Sequence, residues 1–284
     1  MKHYLLTFLA ALFLIFASGC SDLQTDINQP DSISIHKDGI TNPHSPNFHG
    51  DLIKGNNWNM EQCQSCHGPK FSGLTAPSCL TCHTTPGGPE ACNTCHGSFT
   101  DPVRIAPPRS INDSVLTTYR GVGAHSRHLY DNMLGKPVLC STCHTVPQTV
   151  NAAGHLDTDL PAEVMLKDLA VAHGAVTGAY DAANGTCSNT YCHGNFTYYK
   201  ESASAENQFV YTADKMSGLN KTVDWTKVDG SQVECGSCHG LPPVGHLQVP
   251  LTACASCHET VIDFTGKIID KTKHINGIIN VRQD

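Results

Sequence analysis

The sequence predicts a fold with little regular secondary structure: mostly loops, with short helices and minor strands, gathered around a core that side chains alone do not supply. Three observations predict it. Cysteine and histidine recur in one fixed grouping along most of the chain. Only 15% of residues are charged and 39% are hydrophobic by a wide definition. The 284 residues include 24 glycines and 16 prolines. Such a composition interrupts helices and strands and can hardly close one large side-chain core.

The grouping comes first. Of 15 cysteines, Cys20 stands alone and the others form seven pairs, each followed directly by histidine. Six read C-x-x-C-H. They are Cys63 and Cys66 with His67, Cys79 and Cys82 with His83, Cys92 and Cys95 with His96, Cys140 and Cys143 with His144, Cys235 and Cys238 with His239, and Cys254 and Cys257 with His258. The seventh is wider, Cys187-Ser-Asn-Thr-Tyr-Cys192-His193. C-x-x-C-H is the attachment signature of c-type haem. Two thiols add to the vinyl groups as thioethers, and the adjacent histidine binds the iron from one face. Zinc knuckles share C-x-x-C but do not demand histidine at the next position each time. A disulfide framework gives the histidines no role, and a thioredoxin-like motif does not explain seven repeats. With histidine at 17 of 284 residues, seven such placements by chance have a probability on the order of one in a few hundred million. The expected cofactor is therefore haem c, seven copies, covalently held. Porphyrins would then form the core, and folding would be coupled to their attachment.

The chain opens with Lys2, an apolar run from Tyr4 to Phe16, and then Ala17-Ser18-Gly19-Cys20. This predicts a lipoprotein signal peptide over 1–19, since the run is too short to span a bilayer, with Cys20 as the lipidated residue. Multiple acyl chains on one cysteine suffice for stable anchoring. Ser21 beside it, rather than Asp, points to an outer-membrane lipoprotein on the periplasmic or cell-surface face. Residues 20–42 are polar and read as a flexible tether; 43–284 is the seven-haem domain.

Within that domain three motifs crowd together, with first cysteines 16 and 13 residues apart. Two stand alone at Cys140 and Cys187, and two are close at Cys235 and Cys254. A weak repeat relates 92–155 to 235–274. Each copy runs haem motif, proline pair (Pro107-Pro108; Pro242-Pro243), histidine (His125; His246), haem motif, histidine (His155; His274). The repeat gives His125 and His246 matching roles, and likewise His155 and His274. Gly121 to Leu134 reads as a short helix with His125 and His128 on one face. Ala162 to Tyr180 is ambiguous between helix and strand.

Seven haems with two axial histidines each require seven further ligands. His3 leaves with the signal, and nine histidines remain. His36, in the tether, and His173, without a repeat partner, are assigned to the surface. The distal candidates are His44, His49, His125, His128, His155, His246 and His274. Met60, Met133, Met165 and Met216 occupy no recurrent setting, so the haems are expected to have low potential. The formal charge is -7, and each ferric haem with its propionates adds about -1. That excludes nucleic acid as a partner. No Walker, dinucleotide or nucleophile-elbow motif occurs.

These motifs resemble those of the multihaem c-type cytochromes of dissimilatory metal-reducing bacteria that contain a "CxxxxCH…CxxCH" domain. The matching stretches are Gly123-Ala124-His125, Cys187 to Gly194, Trp225, Cys235 to Gly240 with Pro242-Pro243, and His274-Ile275-Asn276-Gly277. The resemblance covers roughly Cys63 to Val281. It implies electron transfer at the outer membrane toward external acceptors such as metal oxides. Expected partners are redox-protein donors and acceptors, with an outer-membrane porin–cytochrome assembly among them. The alternative is a multihaem oxidoreductase with one open haem, of nitrite or hydroxylamine type. All seven motifs end in histidine and spare histidines can close every iron, which favours an electron carrier with no catalytic residues.

Overall fold

A computed structural model describes residues 35–105, 110–130, 132, 134–159, 161–173 and 178–282. The expected signal peptide, Cys20, the Pro107-Pro108 pair and Met133 lie outside the described residues. Helices are one or two turns long: α1 His49–Gly55, α2 Gln64–His67, α3 Cys92–Cys95, α4 His125–Leu129 and α5 Ala255–His258. Single 3-10 turns and loops connect them. Among the described residues no helix is long and apolar enough to cross a membrane. The expected loop-dominated architecture is what is found.

The chain divides into two compact units, Met1–Asn57 and Trp58–Asp284. In the first, α1 is tied to the loop before it. The His49 backbone N–H and its ring Nδ1 both reach the Ile40 carbonyl, at 2.8 and 2.9 Å.

The second unit contains all seven motifs and two small antiparallel sheets. Strands β1 Ala179–Asp181, β2 Thr186–Ser188 and β5 Val223–Asp224 form one sheet in the order β1-β2-β5. Cys187 sits on the middle strand, opposite Tyr180 on one side and Val223 on the other. The β1–β2 turn is closed by Asp181, whose side chain accepts from the Ala183 and Asn184 backbone N–H groups. Arg120 reaches in from a distant loop and donates to the Ala182 and Ala183 carbonyls. Strands β3 Thr197–Tyr199 and β4 Lys215–Ser217 form the second sheet, with Tyr198 opposite Met216.

The helix expected over Gly121 to Leu134 is shorter than its sequence pattern. Gly123 has φ +42°, outside the helical region, so α4 begins only at His125. Beyond Leu129, the Asn132 side chain accepts from the Leu134 and Gly135 backbone N–H groups and makes a turn instead. His125 and His128 nevertheless share one face. The ambiguous stretch 162–180 resolves into a 3-10 turn at Asp168–Val171 and the first strand.

No large side chain is fully buried among the described residues, and the buried apolar ones are scattered from Met60 to Val261. Large apolar side chains instead stand exposed beside the motifs. Leu139 is 72% exposed directly before Cys140, and Leu80 is 40% exposed between Cys79 and Cys82. Phe99, Val146 and Leu241 are comparable. Apolar groups exposed at these positions offer a flat apolar body surfaces to pack on.

Candidate functional site: cysteine turns and facing histidines

The regular motifs share a local structure. In four of them the histidine backbone N–H donates to the carbonyl of the first cysteine: His83 to Cys79, His96 to Cys92, His144 to Cys140 and His258 to Cys254, all at 2.9 Å. One helical turn thus carries both thiols and brings the imidazole back over them. All fourteen motif cysteines are free thiols rather than disulfides.

The motifs look interchangeable in sequence, but the structure sets their second cysteines in unlike surroundings. Cys66 is half-buried, and its carbonyl accepts from the Thr75 and Ala76 backbone N–H groups at 3.2 and 3.3 Å. A returning loop therefore covers that turn. Cys257 is exposed, as is Cys82. The backbone N–H of Cys257 donates to the Cys254 carbonyl at 3.2 Å, which closes its turn locally. Cys95, Cys143 and Cys238 are half-buried, and burial raises all three thiols above their ordinary range.

The wide motif is built differently. Cys187 lies on β2, while Tyr191–His193 forms a 3-10 turn. The two extra residues carry the chain from sheet to turn. Asn189 takes φ +54°, and Thr190 and Tyr191 are buried. Burial, and then the nearby Cys143, pushes the Cys187 thiol up to about 11 and the Cys192 thiol up to about 12. Cys143 belongs to the Cys140 motif, so these two motifs are neighbours although 47 residues separate their first cysteines.

The histidines come together in facing pairs. His96 meets His155 with ring centroids 6.0 Å apart, and His144 meets His125 at 6.3 Å. His193 meets His128 at 6.1 Å, and His239 meets His274 at 6.4 Å. Each pair joins one motif histidine to one distal candidate. The separation lies at the long end of ring–ring contacts, and it also fits a metal held end-on between two imidazoles. Such a metal contributes about 2 Å per metal–nitrogen bond, and each nitrogen lies about 1 Å from its ring centre, about 6 Å in all.

The rings are prepared for ligation through Nε2. Nδ1 of His125 donates to the Val122 carbonyl and that of His128 to Ala124, both at 2.9 Å. Nδ1 of His155 donates to Val150 at 2.8 Å, and that of His274 to Leu134 at 2.7 Å. Among motif histidines, His67 donates to Pro77, His144 to Glu163 and His239 to Gly240 at 2.8 Å, and His258 to Asn280 at 2.6 Å. A carbonyl only accepts, so Nδ1 carries the proton and a neutral ring offers its lone pair at Nε2. Orientation by such an outer partner is usual for metal-binding histidine. Burial keeps the rings neutral: it pulls His125 and His193 down to about 4 and lowers His96, His128 and His274.

The other candidates are not among these four pairs. His44 and His49 belong to the first unit. His246 is bridged to Tyr211, and its Nδ1 donates to the Leu247 carbonyl at 2.7 Å. Neither His246 nor His258 meets another imidazole among the described residues. His173 has the opposite polarity to the paired rings. Its Nε2 donates to the Gly277 carbonyl at 2.5 Å, and its ring packs on Tyr191 and Tyr198.

These donor sets suit haem c. Each pair leaves space for one iron, each motif turn supplies two thiols, and exposed apolar side chains flank the turns. A cavity of about 440 Å³ beside His83 is lined by Cys82, Pro86, Thr94 and Phe99. No group of three or more His, Cys, Asp or Glu side chains is placed to hold a bare metal ion among the described residues.

Residues 187–239 interlock. Gly194 has φ +94°, and a Cβ there would stand 1.9 Å from the Cys238 carbonyl. The segment after β4 joins both motifs: Leu219 N–H donates to Cys238, Asn220 N–H to Gly194 and Lys221 N–H to His193, at 2.9 to 3.1 Å. Trp225 and Arg120 help to hold this region together, and reading residue types did not single them out. The indole was visible only through a family pattern, and the Arg120 contact spans 62 residues.

Residues 186–239 match the family model described as the Geobacter CxxxxCH...CXXCH motif. The match spans the wide motif, β3 to β5 and the Cys235 motif. No curated protein and no solved structure matches the chain.

Proposed function

Starting from a stretch that is a multihaem c-type cytochrome motif, with the haem c binding and electron transfer this suggests, we propose that the chain conducts electrons along seven covalently held haems, each closed by two histidines. The observation that carries this reading is the set of four facing imidazole pairs at 6.0 to 6.4 Å. Haem iron supplies reversible one-electron chemistry when bound. The chain's residues do the rest. The thioethers form on Cys63 with Cys66, Cys79 with Cys82, Cys92 with Cys95, Cys140 with Cys143, Cys187 with Cys192, Cys235 with Cys238, and Cys254 with Cys257. The motif histidines would each hold one iron, and His155, His125, His128 and His274 would be the second ligands for the irons held by His96, His144, His193 and His239. His44, His49 and His246 are the other proposed ligands. Two imidazoles leave no position for a substrate, so no side chain need act as acid or base.

Shared protein elements set an order of four sites. Burial first, and then the nearby His155 and His144, lower the His96 ring, which supports placing the His96 and His144 sites side by side. Helix α4 carries the partners of His144 and His193 one turn apart. Gly194 lies on the backbone of the Cys235 motif. The sequence of sites is therefore 96, 144, 193, 239.

The proposed setting is an outer-membrane lipoprotein held through Cys20 on the periplasmic or cell-surface face. It would pass electrons between redox proteins, a porin–cytochrome assembly among them, and external acceptors such as metal oxides. The basic start, the apolar run and the small residues before Cys20 support this. Intact mass is expected to exceed that of the mature polypeptide by seven haems, and electron paramagnetic resonance of the oxidised protein to show low-spin iron only. A high-spin ferric signal with stoichiometric carbon monoxide binding would favour a reductase with one open haem. Cys20→Ala is expected to release the exported protein from membranes; retention of the cleaved variant counts against the anchor.

A further inference from the structure

Trp225 touches two of the proposed distal ligands at once. Its ring meets His125 edge-on, with centroids 4.7 Å apart and planes at 89°. It meets His128 face to face, at 5.6 Å and 29°. The indole is fixed from both sides. Its Nε1–H donates to the Arg120 carbonyl at 2.8 Å, and its backbone N–H donates to the Gly185 carbonyl at 2.8 Å. Gly123 leaves the space it needs, since a Cβ there would stand 2.0 Å from indole Nε1. Arg120 in turn grips the β1–β2 turn that leads to Cys187. One side chain therefore ties the wide motif's sheet to the helix that carries both rings.

The two rings it touches differ in their orientation toward their partners. The planes of His125 and His144 lie at 27°, near parallel. Those of His128 and His193 lie at 67°, near perpendicular. Each imidazole's filled π orbital raises one of the two iron d orbitals of π symmetry. Parallel rings both raise the same one and separate the pair in energy. Perpendicular rings raise one each and leave the two nearly equal, so orbital angular momentum survives and the g values become strongly anisotropic. The contrast recurs outside Trp225's reach, with 30° for His96 and His155 and 69° for His239 and His274.

We propose that Trp225 is a positioning residue for two haem sites at once: by clamping His125 and His128 it holds a near-parallel ligand pair next to a near-perpendicular one, and so makes adjacent sites electronically unlike. This rests on the axial assignments above and adds to them a residue that contacts no iron.

The test is electron paramagnetic resonance and potentiometry of the full holoprotein, with Trp225→Leu and Trp225→Phe. The wild-type spectrum tests the axial assignments by themselves, since high-spin iron at these sites would refute the ligands whatever Trp225 does. Single His125→Met and His128→Met variants identify the two signals. In Trp225→Leu both signals are expected to shift in g maximum and midpoint potential, while those of the His96 and His239 sites stay in place. Trp225→Phe keeps a ring but loses the bond to Arg120, so the same two signals should shift less. If Trp225→Leu does not assemble with its haems, Trp225→Phe carries the test alone, and movement of those two signals is required. Unchanged spectra, or equal shifts at all four sites, overturn the proposal.

Discussion

At the scale of single residues, the direction a ring nitrogen faces distinguishes the proposed ligands from His173. His155 and His173 both lie outside the cysteine motifs. His155 commits Nδ1 to a carbonyl and turns its ring to His96; His173 commits Nε2 to Gly277. Replacing His155 with Ala is expected to leave one iron high-spin and able to bind carbon monoxide. Replacing His173 with Ala should leave every spin state unchanged, as read by the same spectra. The repeat adds a prediction that no ring contact supplies. His155 and His274 both face the first motif histidine of their repeat copies, so His246, the counterpart of His125, should serve His258, the counterpart of His144. His246→Met is then expected to raise one midpoint potential or create one high-spin site; with neither change, His246 is not an axial ligand. The thiols and motif histidines were legible because their chemistry depends on local spacing. What differs between them, such as the covered Cys66 and the exposed Cys257, was not, because spacing says nothing of which loop returns over a turn. The repeat made His155 and His274 legible as equivalents. The carbonyls that orient the rings were not, because they come from loops as remote as Leu134 from His274, and a carbonyl carries no sequence signature.

At the scale of elements, two glycines with the same backbone conformation are not interchangeable. Gly194 and Gly154 both have left-handed φ, +94° and +82°. Alanine at 154 would meet nothing within 4 Å, whereas at 194 its Cβ would collide with the Cys238 carbonyl. Gly154→Ala should cost about 1 kcal/mol from backbone strain alone. Gly194→Ala should cost well beyond that and loosen the wide motif from the Cys235 motif. Thermal unfolding followed at the haem absorbance distinguishes the two; equal midpoints would mean that the contact is not needed. Sequence periodicity located α4 but overextended it, since a helical pattern does not reveal that Gly123 must make room for an indole 102 residues away. Linear spacing likewise made the Cys140 and Cys187 motifs look solitary. Helix α4 places their partners on one turn, and Cys143 is near enough to Cys187 and Cys192 to raise both thiols after burial.

At the scale of the whole molecule, the described residues contain no fully buried large side chain, and single-turn helices are too short to be stable alone. Protein made without haem attachment is therefore expected to be protease-sensitive and to unfold without a cooperative transition. A cooperative melt of the haem-free chain, monitored by circular dichroism, would show that side chains suffice. This feature was legible in composition: few charges, many glycines and prolines, and apolar residues set beside cysteines. Which motif lies next to which was not, because contacts across more than a hundred residues decide it. The middle-strand position of Cys187 also has a consequence in time. Its neighbours Tyr180 and Val223 lie on opposite sides in sequence, one upstream and one 36 residues downstream. A chain crossing a membrane from its N-terminus presents Cys187 and Cys192 while the β5 edge of that strand is still bare, and Val223 arrives only afterwards. Under the proposed export, translocation from the N-terminus would leave an interval in which the thiols can be modified before the last strand pairs with β2, and a translocation intermediate arrested before Val223 is expected to carry haem at this motif already.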